Sequence, residues 1–170
     1  LDFKTLDSID TSKTIFIAPS EVTLKMPKKY KAKTTILNNG QGIHRFDFFI
    51  KAIPMYNLPD DNTSRHPKGR GNGYILNIDN IQVYISGDTE DIQEMRNLQN
   101  IDIAFVCMNL PYTMDINQAA SAVLEFQPKV IYPYHYRGTN GLSDIEEFKN
   151  LVQTKNSNIE VRLKNWYPKN

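Results

Sequence analysis

A single cysteine, Cys107, stands in the 170-residue chain, which excludes an internal disulfide and a thiolate metal cluster. No apolar run approaches the roughly 18–20 residues of a membrane span, and no charged-then-apolar start marks a signal peptide. Neither sign of charge is in excess: 20 Lys and Arg against 19 Asp and Glu leave a net charge of +1. That balance is too weak for a polyanion partner, so neither nucleic acid nor a membrane surface is expected. The one basic cluster, residues 25–33, reads as solvated surface. There is no Gly-x-Ser-x-Gly nucleophile turn, and Cys107 lies in an apolar stretch where a thiol is inert. Gly69, Gly71 and Gly73 precede a strand rather than opening a helix, so they do not form a nucleotide loop. The chain starts at Leu1 without a methionine, and its native start is expected to lie upstream.

What is present is the composition of a packed core, with 40% hydrophobic and 23% charged residues. The length suits one domain spanning residues 1–170. Period-2 and period-3.6 segments alternate, which predicts interleaved strands and helices in an α/β unit with mixed pairing. Strands are expected at residues 14–18, 33–37, 44–53, 73–78, 81–86, 101–108, 130–136 and 158–163. Asp79-Asn80 suits a two-residue hairpin turn between two of them. Helices are expected at residues 21–26 and 91–98, after an Asp115/Gln118 capping box, and after a Ser143/Glu146 capping box. Residues 57–72 carry no apolar period and form a long loop of the kind that usually serves function.

Only three histidines exist. His44 begins an alternating strand and reads as a surface or edge residue; His66 lies in the long loop; His135 ends a strand among tyrosines. Asp88 follows a strand in Ser86-Gly87-Asp88-Thr89, where either Asp88 or Thr89 caps the next helix or Asp88 presents a carboxylate to a cleft. Any metal must be held by His, Asp, Glu or water.

In their order, Ser86-Gly87-Asp88-Thr89, a helix, the apolar strand 101–108, a second helix and Pro128-Lys129-Val130 running into Tyr134-His135-Tyr136 resemble the C-terminal half of the metallo-β-lactamase-fold hydrolases. The branch they look most like contains predicted metal-dependent hydrolases similar to ascorbate-6-phosphate lactonase. The resemblance implies part of a four-layered αββα sandwich of mixed sheets, with Asp88 as the bridging and catalytic carboxylate and His135 as the last metal-binding histidine. It implies His66 as the middle ligand, with Asn57 as its rival. The family's His-x-His-x-Asp-His motif occurs nowhere here, so the resemblance implies a C-terminal portion that begins just downstream of it and is inactive alone.

The function implied is hydrolysis of a small-molecule ester, lactone or phosphoester by water activated on one or two divalent ions, with zinc favoured over manganese or iron. The rival is a non-catalytic binding or scaffold module. Tyr134, Tyr136, Lys68 and Arg70 are rim candidates. The helices can cover one sheet face only, so exposed apolar surface is expected, to be covered by a missing N-terminal segment or, as a weaker substitute, a second copy of the chain. The compartment is left open, with the cytoplasm slightly favoured.

Overall fold

The computed structural model describes residues 2–61 and 63–167. In chain order it contains α1 (Phe3–Asp7), β1 (Phe16–Ala18), α2 (Ser20–Lys25), α3 (Lys28–Lys31), β2 (Thr34–Ile36), β3 (Gly42–Arg45), β4 (Phe48–Met55), β5 (Gly71–Ile78) and β6 (Ile81–Ile85). There follow α4 (Gln93–Arg96), β7 (Ile103–Cys107), α5 (Ile116–Phe126), β8 (Val130–Tyr134), β9 (Arg137–Gly138), β10 (Gly141–Leu142), α6 (Ile145–Lys155) and β11 (Glu160–Val161). No helix among the described residues is long and apolar enough to cross a membrane.

Seven strands form one mixed sheet in the order β11-β8-β7-β6-β5-β4-β3. The β11-to-β6 half is parallel and the β6-to-β3 half antiparallel. The switch falls at β6, whose N-terminal hairpin turn is Asp79-Asn80 with both φ angles positive, 50° and 64°, as the expected two-residue turn requires. One sheet face carries Tyr84, Ala104, Val106 and Ile131, all fully buried against Val123 and Phe126 of α5 and Phe148 and Val152 of α6. Tyr84 and Phe126 meet edge to face at 6.0 Å. The alternate residues Ile103, Phe105, Tyr132 and Tyr134 are only half-buried, with Phe105 and Tyr132 stacked at 5.1 Å. The strand at residues 101–108 is thus covered fully on one face and partly on the other.

A separate parallel pair, β1–β2, reaches the large sheet through polar contacts. Tyr74 Oη donates to Ile17 O at 3.3 Å and Asn72 Nδ2 to Leu37 O at 2.7 Å. These bonds hold α2, which follows β1, beside the C-terminal end of β4.

Three local expectations are corrected. Residues 44–53 are two strands, because Phe46 turns the chain at φ 52° and β3 pairs back on β4 with Arg45 opposite Phe48. Pro54 is accommodated in β4 because β3 ends its pairing at Lys51, leaving no partner to miss the proline N–H. The last helix is capped by Asp144, which accepts from Glu147 N at 2.9 Å, while Ser143 Oγ donates to Met108 O instead. The helix at 91–98 shrinks to α4. The lysines of residues 25–33 are exposed, as expected of solvated surface, while Tyr30 of α3 is buried. The strand expected at residues 14–18 is β1, preceded by α1; Leu1 lies outside the described residues.

Candidate metal centre

Three segments converge at the C-terminal ends of the central strands. After β6 the chain turns at Gly87, φ 67°, where an added Cβ would lie 2.8 Å from Asn72 O. This turn presents Asp88 outward, and neighbouring groups fix it: Ser86 N donates to Phe105 O at 3.0 Å and Cys107 N to Ser86 Oγ at 3.2 Å. Thr89 is fully buried, and its hydroxyl accepts from Tyr56 N at 3.3 Å and donates to Tyr56 O at 3.2 Å, so it ties the turn to the end of β4 rather than capping α4. His135 leaves β8 at φ 47°, a left-handed backbone that is uncommon for a residue other than glycine.

His66 comes from the long loop, which folds back so that Asn57 N donates to His66 O at 2.9 Å. Asn57 is buried and uses both ends of its amide. Its Oδ1 accepts from His66 N at 2.8 Å and faces His66 Nδ1 at 2.9 Å; its Nδ2 donates to Tyr112 O at 2.9 Å and Glu90 Oε1 at 3.1 Å. The backbone partners define which amide end is oxygen, so His66 Nδ1 carries the proton and Nε2 presents a lone pair. That Nε2 stands 3.8 Å from Asp88 Oδ2.

His135 Nε2 stands 3.4 Å from the other oxygen, Asp88 Oδ1, and 3.3 Å from Asn109 Nδ2. Thr113 Oγ1 donates to Asn109 Oδ1 at 2.7 Å, which turns the Asn109 amide nitrogen toward the ring. In that orientation His135 Nε2 accepts from Asn109. The two imidazole Nε2 atoms thus face the two oxygens of one carboxylate, an arrangement that a cation or a proton between them would stabilise.

The donor chemistry, His/Asp/His, suits a borderline divalent ion. Among the described residues no group of three or more His, Cys, Asp or Glu lies close enough to hold an ion by itself. Asp88, His66 and His135 would hold one only together with further ligands, since a catalytic zinc usually has ~3 protein ligands.

The surroundings sort the other candidates. Lys68 is engaged, bonded to Glu94 at 2.7 Å and lying 4.6 Å over the Tyr56 ring. The hydrogen bond to Glu94 raises its ammonium above the ordinary lysine range. Burial alone would raise the Glu94 carboxyl, but the bonds from Lys68 and Tyr56 hold it below its usual value. Burial pushes up both the Tyr134 phenol and the Cys107 thiol, so neither ionises readily. Tyr136 donates to Lys164 O at 2.9 Å and packs on Tyr167, a structural role. His44 packs against Phe49 on β4, away from the centre. The positioning groups Asn109 and Glu90 were not signalled by the sequence; Asn109 simply follows the apolar strand, as a strand-end polar residue facing a site does.

Comparison with known proteins decides the family: the beta-lactamase superfamily domain matches residues 12–135, ending on His135. The chain belongs to the beta-lactamase superfamily. Its large mixed sheet with flanking helices is that of the metallo-β-lactamase fold. A UPF0173 metal-dependent hydrolase of Pyrococcus horikoshii is 30% identical over 82% of this chain and 63% of its own length. The chain thus spans under two thirds of the length of this and other curated relatives. The crystal structure of a Parabacteroides distasonis protein carrying the name metal-dependent hydrolase superposes with a TM-score of 0.82 at 42% identity, over 96% of this chain and 70% of that one. Igni18, a metallo hydrolase of Ignicoccus hospitalis, superposes with a TM-score of 0.76 at 24% identity, covering 95% and 70%, a likeness of fold.

Proposed function

We propose that this superfamily member is a metal-dependent hydrolase in which Asp88, His66 and His135 would hold one or two divalent ions, with an ester, lactone or phosphoester as substrate. The observation that carries the reading is the pair of imidazole Nε2 atoms, each ring beside an asparagine, facing opposite oxygens of Asp88. A divalent ion bound there would supply water of lowered pKa and polarise the scissile carbonyl or phosphoryl oxygen. The chain's own work is orientation. Asn57 holds the His66 tautomer, Asn109 holds the His135 ring, and Gly87 lets the backbone turn so that both Asp88 oxygens are presented at once. Zinc is the ion we favour, with manganese and iron compatible with the same donors.

The donor count and the 63% coverage of the relatives lead us to propose that further ligands come from outside residues 1–170, so that this chain alone lacks activity. The test is hydrolysis of a panel of esters, lactones and phosphoesters by the metal-loaded full-length protein, before and after chelation. Activity that chelation removes, zinc restores and Asp88→Ala abolishes supports the reading. A metal-loaded protein inactive across the panel would instead favour a binding or scaffold module.

A further inference from the structure

The cleft of about 410 Å³ beside His66 and Asp88 is lined by two cations, Lys25 and Arg70, that the hydrolase reading does not use. Its walls include Phe3, Val22 and Met55, which are apolar, together with Lys25, Arg70 and Glu21. Phe3 is held in place by stacking on Tyr30 at 6.3 Å. Lys25 stands in the last turn of α2, and Arg70 immediately precedes β5.

Among the described residues neither cation forms an ion pair, in contrast to Lys68, two positions before Arg70, which Glu94 holds. Arg70 makes one side-chain bond, from Nη1 to Arg65 O at 3.3 Å, so most of its guanidinium donors face the cleft or water. Glu21 and Asp88 are the carboxylates on these walls; in the proposed function Asp88 would be taken up by divalent metal, which leaves Glu21. Two uncommitted cations against that one carboxylate, beside an apolar wall and within a concavity, favour an anion with an attached apolar group.

We propose that the cleft binds a small organic oxyanion, a carboxylate or a phosphate-type group, with its charge on Arg70 and Lys25 and its apolar part against Phe3, Val22 and Met55. This names the substrate class of the centre described above and rests on that reading for the word substrate. Arg70 is the main contact because its planar fork meets two oxygens at once; Lys25 adds a point charge.

The test is isothermal titration of the full-length protein with phenylphosphonate, benzoate and the neutral benzamide. Arg70→Gln is expected to weaken whichever anion the site takes by about tenfold, with benzamide unchanged, in line with the worth of a charge-assisted hydrogen bond. Lys25→Gln should weaken it less, and added salt should weaken the wild type more than either variant. The anion that shows the dependence tells a carboxylate from a phosphate site. Both residues are exposed, so both variants are expected to fold, and thermal denaturation checks this. Arg70→Gln and Lys25→Gln binding both anions as the wild type does would overturn the inference, and so would benzamide binding with the same Arg70 dependence. Hydrolysis that persists without Arg70-dependent anion binding sinks this inference alone; Arg70-dependent binding without any hydrolysis sinks the hydrolase reading alone.

Discussion

Replacing Asn57 by alanine removes the group that aligns His66, and the consequence can be worked from its bonds. The buried amide accepts from His66 N and Nδ1 at 2.8 and 2.9 Å and donates to Tyr112 O and Glu90 Oε1 at 2.9 and 3.1 Å. Each such bond contributes a net ~0.5–1.5 kcal/mol. Water can re-solvate the Glu90 and His66 ends, so the expected loss of stability is ~2–3 kcal/mol, or about 4–12 °C in Tm for a chain of this size. At the centre the effect is on orientation: with Oδ1 gone the ring is free to rotate and exchange tautomers, and metal affinity should fall by about 10–100-fold. Asn57→Asp separates the two roles. It keeps an acceptor for His66 but turns an oxygen onto Tyr112 O and the Glu90 carboxylate. It should therefore cost more stability than alanine at neutral pH and less on acidification, while metal affinity falls less than in Asn57→Ala. Chelator competition gives the affinities, urea denaturation the stabilities, and nitrogen chemical shifts of the imidazole report the proton on His66 Nδ1. Asn57→Ala within 0.5 kcal/mol of wild type in stability, with unchanged metal affinity, would refute the positioning role.

Three further outcomes are expected. Tyr84 is fully buried and its hydroxyl has no hydrogen-bond partner among the described residues, so Tyr84→Phe should be neutral or stabilising by up to ~2 kcal/mol in thermal denaturation; clear destabilisation would show a partner that the packing conceals. Gly87→Ala must place a Cβ 2.8 Å from Asn72 O at a φ of 67°, so it should lose ~2 kcal/mol or more and displace Asp88, read as loss of stability and of metal affinity together. The hydrogen bonds from Lys129 Nζ and Gln82 N hold the Asp102 carboxyl below its ordinary range. Its contribution is therefore present above the unfolded-state value and lost as pH falls through the lowered folded value. Asp102→Asn should cost ~1 kcal/mol at pH 7, and the gap from wild type should close below about pH 4 in pH-dependent denaturation.

Local chemistry explains which parts of the fold were legible in the sequence. The Asp79-Asn80 turn and the Asp115/Gln118 capping box are encoded by residues that act on their own neighbours, and both form as expected. Phe46 carries no turn signal; the antiparallel pairing of β3 with β4 imposes its positive φ, so one alternating run became a hairpin. The last helix start shifted by one residue because Ser143 spends its hydroxyl on Met108 O, a contact distant in sequence, leaving Asp144 as the cap.

The same division runs through the centre. Asp88 and His135 sit at strand ends inside recognisable motifs, and the structure brings them within 3.4 Å. The resemblance put His66 first with Asn57 as its rival, but how the two sit relative to each other was not legible, since a loop's path is set by tertiary contacts. The structure shows that they act in series, His66 toward Asp88 and Asn57 behind it. Lys68 and Arg70 looked alike in sequence, and only the position of Glu94 separates the engaged cation from the uncommitted one.

In the proposed function Asp88, flanked by His66 and His135, holds divalent metal. Elemental analysis of the full-length protein after exhaustive dialysis, run beside Asp88→Ala, His66→Ala and His135→Ala, is the direct test. One or two equivalents of a divalent ion are expected in the wild type, with the largest loss in Asp88→Ala because that carboxylate faces both histidines, and partial loss in each histidine variant. Metal content equal to wild type in all three variants would contradict the assignment.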